Sequence, residues 1–124
     1  MVRPGPLIPA AAGWGGQLRK GALDIAILGH LAAGDMHGYA LIASLKQRGL
    51  MAPEGGAATV YQALQRLADQ GLAHSAWSAP GPDEGDRPRK VYTITMRGHS
   101  ARKQMASEWQ NLKRALDHLL EETA

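Results

Sequence analysis

The side chains of this sequence best suited to chemistry lie in two stretches. Between Ala57 and Gln70, Val60, Leu64 and Leu67 recur at intervals of four and three, which sets them on one helical face. Thr59, Gln62, Gln65, Arg66 and Asp69 then point away from that face, and Ala58 leaves room near the helix start. Such a face suits a DNA major groove: Gln can bond adenine bidentately, Arg reaches guanine or phosphate, and the free N–H groups of a first turn favour phosphate. By pattern alone, an ordinary solvated helix is the stronger account. The second stretch holds Arg87, Arg89 and Lys90. Cations on one short strand suit phosphate contacts, which position a protein without reading sequence; the plainer account is exposed strand charge. His37 and Tyr39 open another helix, where backbone N–H groups can meet a phosphate or His37 can simply cap the helix.

Other chemistries find no support. The 124 residues contain no cysteine, so disulfides, thiolate metal sites and a cysteine nucleophile are excluded. The five histidines (His30, His37, His74, His99, His118) are scattered, with no i, i+4 pair, and no metal site or cofactor is expected. Neither a nucleophile triad, a phosphate-cradling glycine loop nor a paired-carboxylate motif is present. No apolar run approaches the ~20 residues needed to span a bilayer, and residues 1–16 lack the hydrophobic stretch of a signal peptide. The expectation is a soluble, cytoplasmic, non-enzymatic protein with no membrane partner.

Positioning these residues falls to a mainly helical fold. Ala and Leu supply 36 residues against 8 for Val and Ile, which favours helix over sheet. Residues 1–16, rich in Pro and Gly, read as a flexible leader. From Gln17 to Ala33 apolar residues occupy most of a helical circumference, the mark of a helix buried on more than one side. Gly34-Asp35 ends it. A second helix runs from about His37 to Lys46 or Arg48 and stops at Gly49, and the third is the Ala57–Gln70 segment. Gly71 takes the left-handed position after it, with Leu72 covering Leu67. Residues 72–78 and 89–95 read as two short strands flanking a Pro/Gly-rich tip. Thr95 caps a last helix from near Arg97 to about Glu121, in which Met105, Trp109, Leu112, Leu116 and Leu119 are spaced as a heptad seam. Some 24 residues reach about 36 Å, longer than a small domain needs, so its end projects and calls for a second copy. Residues 17–96 thus form one domain and residues 97–124 a dimerisation helix. Between Arg87 and Ser107 there are six basic residues and no acidic one, which raises the prior for a polyanionic partner within a net charge of +3.

Three helices followed by a hairpin is the order of a winged helix-turn-helix domain, and several residue groups fall in that order. They are Lys20-Gly21-Ala22-Leu23, His37-Gly38-Tyr39, Thr59-Val60-Tyr61 with Leu64, Leu67 and Gly71-Leu72, and Arg89-Lys90-Val91-Tyr92 with Thr95 and Gly98. Over about residues 18–120 the chain resembles the PadR family of bacterial transcription regulators. The resemblance implies a winged helix with a C-terminal dimerisation helix, and a homodimeric repressor that reads a palindromic operator in double-stranded DNA. It assigns the third helix to the major groove, Tyr61 to the backbone and the hairpin to phosphates. It also implies release by a small aromatic effector held between the long helices, where Trp109 and Met105 would bind it and Leu112, Leu116 and Leu119 would join the copies. Trp109 as plain dimer or core packing is the simpler account. Two features depart from the family pattern. Gly56, Ala57 and Ala58 stand where the family has serine, proline and glycine, and the tip carries Asp83, Glu84 and Asp86, which repel phosphate. The rival functions are a ligand carrier centred on the dimer pore and a winged-helix protein-interaction module with little DNA affinity.

Overall fold

A computed structural model describes residues 14–78 and 88–124. The elements run α1 (Trp14–Gly21), α2 (Leu23–Ala33), β1 (Met36–His37), α3 (Gly38–Gln47), α4 (Ala57–Asp69), β2 (Ala73–Ser78), β3 (Arg89–Ile94) and α5 (Met96–Glu122). The three strands form one antiparallel sheet in the order β1-β3-β2. Helices α2, α3 and α4 pack around Ile27, Leu28, Leu31, Leu41, Leu45, Val60, Leu64 and Leu67, all essentially inaccessible, and Leu72 and Tyr92 close the sheet side of this core.

The helix expected over Gln17–Ala33 is two helices. The chain turns at Ala22, whose N–H is shared between the carbonyls of Leu18 (3.3 Å) and Arg19 (3.2 Å). Three of the eight α1 residues are glycines, so propensity does little to carry the helix through. Helix α1 also begins at Trp14, three residues inside the segment read as leader. It is tied down by Arg19, whose Nε donates to the Gly49 carbonyl at 3.0 Å. A third strand, β1, was not expected: Met36 pairs with Tyr92 and His37 with Val91, which makes the hairpin strand β3 central rather than an edge.

The stops of α3 and α4 use the same device. After α4, Gly71 has φ +76°, its N–H donates to Ala68 O at 3.0 Å, and Leu72 N–H donates to Leu67 O at 2.9 Å. After α3, Gly49 (φ +73°) and Leu50 donate likewise to Lys46 and Leu45. Both are Schellman closures, which need a residue that tolerates the left-handed region. At Gly71 a Cβ would meet only the Arg97 side chain, at 3.9 Å. Gly71→Ala therefore isolates backbone strain and is expected to cost about 1–2 kcal/mol, read as a lower urea midpoint at unchanged slope.

Thr95 caps α5 as expected, accepting from Gly98 N–H at 3.0 Å while its hydroxyl donates to Gly71 O at 2.7 Å. Among the described residues, only the start of α5 is covered: Gly98 is buried, Ala101 and Met105 are half-buried against α2, and residues 107–124 are exposed throughout. At 27 residues the helix is about 40 Å long. No helix among the described residues is long and apolar enough to cross a membrane.

Candidate nucleic-acid interface

Helix α4 turns Val60, Ala63, Leu64 and Leu67 into the core, and this fixes the direction of everything else on it. Thr59, Tyr61, Gln62, Gln65, Arg66 and Asp69 are all exposed. Three of these polar groups are engaged. Gln65 Nε2 donates to Asp69 Oδ1 at 2.9 Å, and Arg66 Nη2 donates to Asp24 Oδ1 of α2. Arg66 is thus drawn towards α2, with half of its side chain still exposed. Among the described residues, Thr59 and Gln62 make no side-chain hydrogen bond. Gly56 is the N-cap of α4 in extended backbone and supplies no side-chain acceptor, consistent with the lost serine.

Beside α4 lies a groove of about 720 Å³, walled by the start of α3, by α4 and by the sheet. His37, Tyr39, Tyr61, Arg89 and Lys90 all line it, so the structure brings five of the expected contact residues to one place. Tyr61 reaches it by lying over Gly38, where a Cβ would stand 2.6 Å from the ring. Trp77, which sequence reasoning missed, lines the same groove and is 69% exposed. Its register partner is Lys90, whose Nζ sits 6.0 Å from the ring centroids of both Trp77 and Tyr92. An exposed Trp in a hairpin strand was the available signal, but only the register puts it beside Lys90. Burial, and then the neighbouring Tyr61, pushes the Tyr92 phenol above its ordinary value. Arg87 and the acidic tip residues Asp83, Glu84 and Asp86 lie outside the described residues.

His37 takes the capping role: Nδ1 accepts from Ala40 N–H at 3.2 Å. Its other nitrogen, Nε2, lies 3.1 Å from Arg89 Nη1. Cation, imidazole and aromatic side chains from five elements therefore share one groove, to which α4 contributes Tyr61 and Gln65, whereas Thr59 lines a separate cavity beside α1 and Arg66 is drawn to α2. Such a surface can hold a phosphate backbone while a helix face meets base edges.

Met105 and Trp109 lie apart from this groove. They line a cavity of about 470 Å³ together with Gln17 and Leu18 of α1 and Ile25 of α2. Further along α5, Leu112, Leu116 and Leu119 are 54%, 45% and 52% exposed. Among the described residues no group of three or more His, Asp or Glu is placed to hold a metal ion.

Residues 27–104 match the family model described as the transcriptional regulator PadR-like family. The chain belongs to this family. PadR-like proteins are transcriptional regulators rather than enzymes, and the solved structures similar to this one agree. A PadR family transcriptional regulator from Eggerthella lenta is 32% identical, with 90% of this chain and 93% of that chain covered and a TM-score of 0.77. A transcriptional regulator from Clostridium thermocellum is 25% identical over 82% of this chain and 93% of its own, with a TM-score of 0.71. A PadR family regulator from Clostridium difficile is also 25% identical, covering 80% and 98%, with a TM-score of 0.68. No curated protein matches the chain significantly. For this PadR-like regulator the groove and the polar face of α4 are therefore the surfaces to test first.

Proposed function

We propose that the chain is a homodimeric, sequence-specific DNA-binding repressor of the PadR type, released by a small aromatic effector. The observation that carries this reading is the groove in which Tyr61 and Gln65 of the exposed α4 face meet His37, Arg89 and Lys90. Helix α4 enters a major groove with Thr59 and Gln62 towards base edges, while Tyr39, Tyr61, Arg89 and Lys90 hold phosphates. Arg66 serves at the rim, where it can exchange Asp24 for a phosphate. Arg87 belongs to the same hairpin set. Two copies joined along α5 present their α4 helices about one helical turn (10–10.5 bp) apart, so the operator is a palindrome. The effector sits in the cavity of Met105 and Trp109 and changes the angle between the two winged domains. It must bind the DNA-free arrangement more tightly, or it shifts nothing. The protein works in the cytoplasm.

The test is selection from a random duplex library at two salt concentrations. A palindrome is expected to be enriched, with affinity falling steeply as salt rises. Gln62→Ala should lose preference at one base pair per half-site, a cost of about 1–3 kcal/mol for the cognate base. A protein that enriches no sequence and binds weakly at both salts is not a DNA-binding regulator in its free form. The 470 Å³ cavity keeps a second reading in view, that of a ligand carrier. A carrier would show quenching of Trp109 by aromatic molecules, measured with Trp14 and Trp77 replaced by Phe, that survives removal of Arg66 and Arg89. An interaction module would instead want an apolar outer face on α4, and the exposed Thr59, Gln62, Gln65 and Arg66 argue against it.

A further inference from the structure

We propose that Asp24 couples the Trp109 cavity to the DNA-reading helix and makes the charge of a bound aromatic ligand decide its effect. A planar aromatic cation keeps the protein on its operator, where an uncharged molecule of the same shape releases it. The inference rests on the DNA-binding reading and on the effector cavity, and it adds the charge of one ligand class and the sign of its effect. Asp24 belongs to both places. It lines the cavity with Met105 and Trp109, while its Oδ1 accepts from Arg66 Nη2 on the exposed side of α4. The Asp24 side chain is 30% exposed and that of Arg66 50%, so a competing ion can reach either end of the pair.

The lining of the cavity sets the ligand chemistry. Its charged side chains are Asp24 and Glu108, both carboxylates, and no Lys, Arg or His among the described residues lines it. Trp109, Met105, Leu18, Ile25 and Leu112 supply the apolar walls. A flat ring stacks on the indole, and an ammonium tethered to that ring is drawn to the carboxylates. An aromatic carboxylate would meet only like charge. The sign of the effect follows from Arg66. In the free protein its guanidinium is the counterion of Asp24. A DNA phosphate that takes Arg66 leaves Asp24 in the cavity wall without a counterion, and a ligand cation then replaces it. Cation and duplex are therefore bound more easily together than apart, and the coupling is reciprocal. An uncharged aromatic gains nothing from this exchange and acts only through the angle between the winged domains, towards release.

The experiment titrates the full chain with naphthylethylamine and with naphthylethanol, which share ring and tether and differ in charge at neutral pH, at constant ionic strength. Calorimetry should show the amine binding at least about threefold more tightly, with Glu108→Gln losing part of that preference. Against the selected palindrome, affinity under saturating amine should be about threefold to tenfold above that under saturating alcohol, since two pairs are exchanged per dimer. Asp24→Asn removes the charge at the same size. It should bind the duplex equally under both ligands and, without ligand, about threefold more tightly than wild type, because nothing holds Arg66 back. Arg66→Gln should bind the duplex more weakly, and equally under both ligands. Urea midpoints check that the variants are folded at the temperature of the titration. The coupling is refuted if wild type binds the duplex alike under amine and alcohol, or if Asp24→Asn keeps the difference. The ligand class is refuted if the alcohol binds as tightly as the amine. Binding of neither molecule, as when the α5 of a second copy fills the cavity, removes the effector reading and this inference together. Wild type that selects no duplex sinks the DNA-binding reading and the coupling, while the calorimetric preference still decides the charge class of the cavity.

Discussion

Gly98→Ala is expected to unfold the domain under conditions in which wild type is folded. A Cβ at Gly98 would stand 2.0 Å from the Leu72 carbonyl oxygen and 2.7 Å from Ile94 Cγ1. The oxygen has nowhere to go. It accepts from Thr95 N–H at 3.1 Å, and the N–H of Leu72 itself closes the α4 stop on the Leu67 carbonyl at 2.9 Å. Thr95 adds one more tie across this junction, to Gly71 O, while its hydroxyl caps α5 by accepting from Gly98 N–H. Relieving the overlap therefore means parting α5 from the α4 turn and losing several of these bonds together. The cost should reach or exceed the top of the usual overpacking range, about 3 kcal/mol, a large share of a stability of about 5–15 kcal/mol. The melting temperature should fall by more than about 10 °C, followed by far-ultraviolet circular dichroism. Gly29→Ala is the matched control. Gly29 lies within α2 with nothing within 4 Å of its Cβ position, so alanine there should stabilise by about 0.5–1 kcal/mol. A Gly98→Ala protein that melts like Gly29→Ala would show that α5 does not abut the turn as described.

Leu116→Glu should abolish the proposed α5 dimer and, through it, the tight operator binding proposed above. Trp109, Leu112, Leu116 and Leu119 follow one seam along α5, and all are at least 44% exposed in the single chain. Trp14 and Leu18 of α1 are exposed as well, at 62% and 49%. A single chain with this much apolar surface on one projecting helix is what a two-fold partner would cover. A carboxylate at Leu116 would be buried without a partner, at a cost of several kcal/mol. Because Leu116 touches no core residue, the winged domain itself should stay folded. Affinity for a full palindrome should drop by at least roughly 100-fold, the usual scale of linked binding, while affinity for one half-site stays unchanged. Sedimentation and binding titrations against both duplexes read the two effects. Wild type sedimenting as a monomer at tens of micromolar, or Leu116→Glu remaining dimeric, would remove α5 as the dimer seam.

Much of this architecture is legible locally. The spacing of Val60, Leu64 and Leu67 sets which side of α4 faces out, and Gly71 with Leu72 sets where it stops, because both are properties of a single turn of chain. Thr95 as the cap of α5 and the hairpin strands, found at Ala73–Ser78 and Arg89–Ile94, are equally local. The polar face of α4 and the heptad seam of α5 followed from the same arithmetic. What periodicity cannot express is a partner far along the chain. Strand β1 is two residues long, too short for any alternation, and exists because the free edge of β3 accepts it. The break at Ala22 depends on where α1 finds Gly49. Arg66 meets Asp24 across 42 residues and Arg89 meets His37 across 52, so a helix face and a strand read as free cations turn out to be partly engaged. Trp77 joins Lys90 only through the β2–β3 register. Local sequence thus determined the elements and their inward faces, since burying a periodic apolar stripe needs no knowledge of the partner. Tertiary structure decided which polar groups share a site, since that depends on how the faces, once buried, bring distant backbones into register.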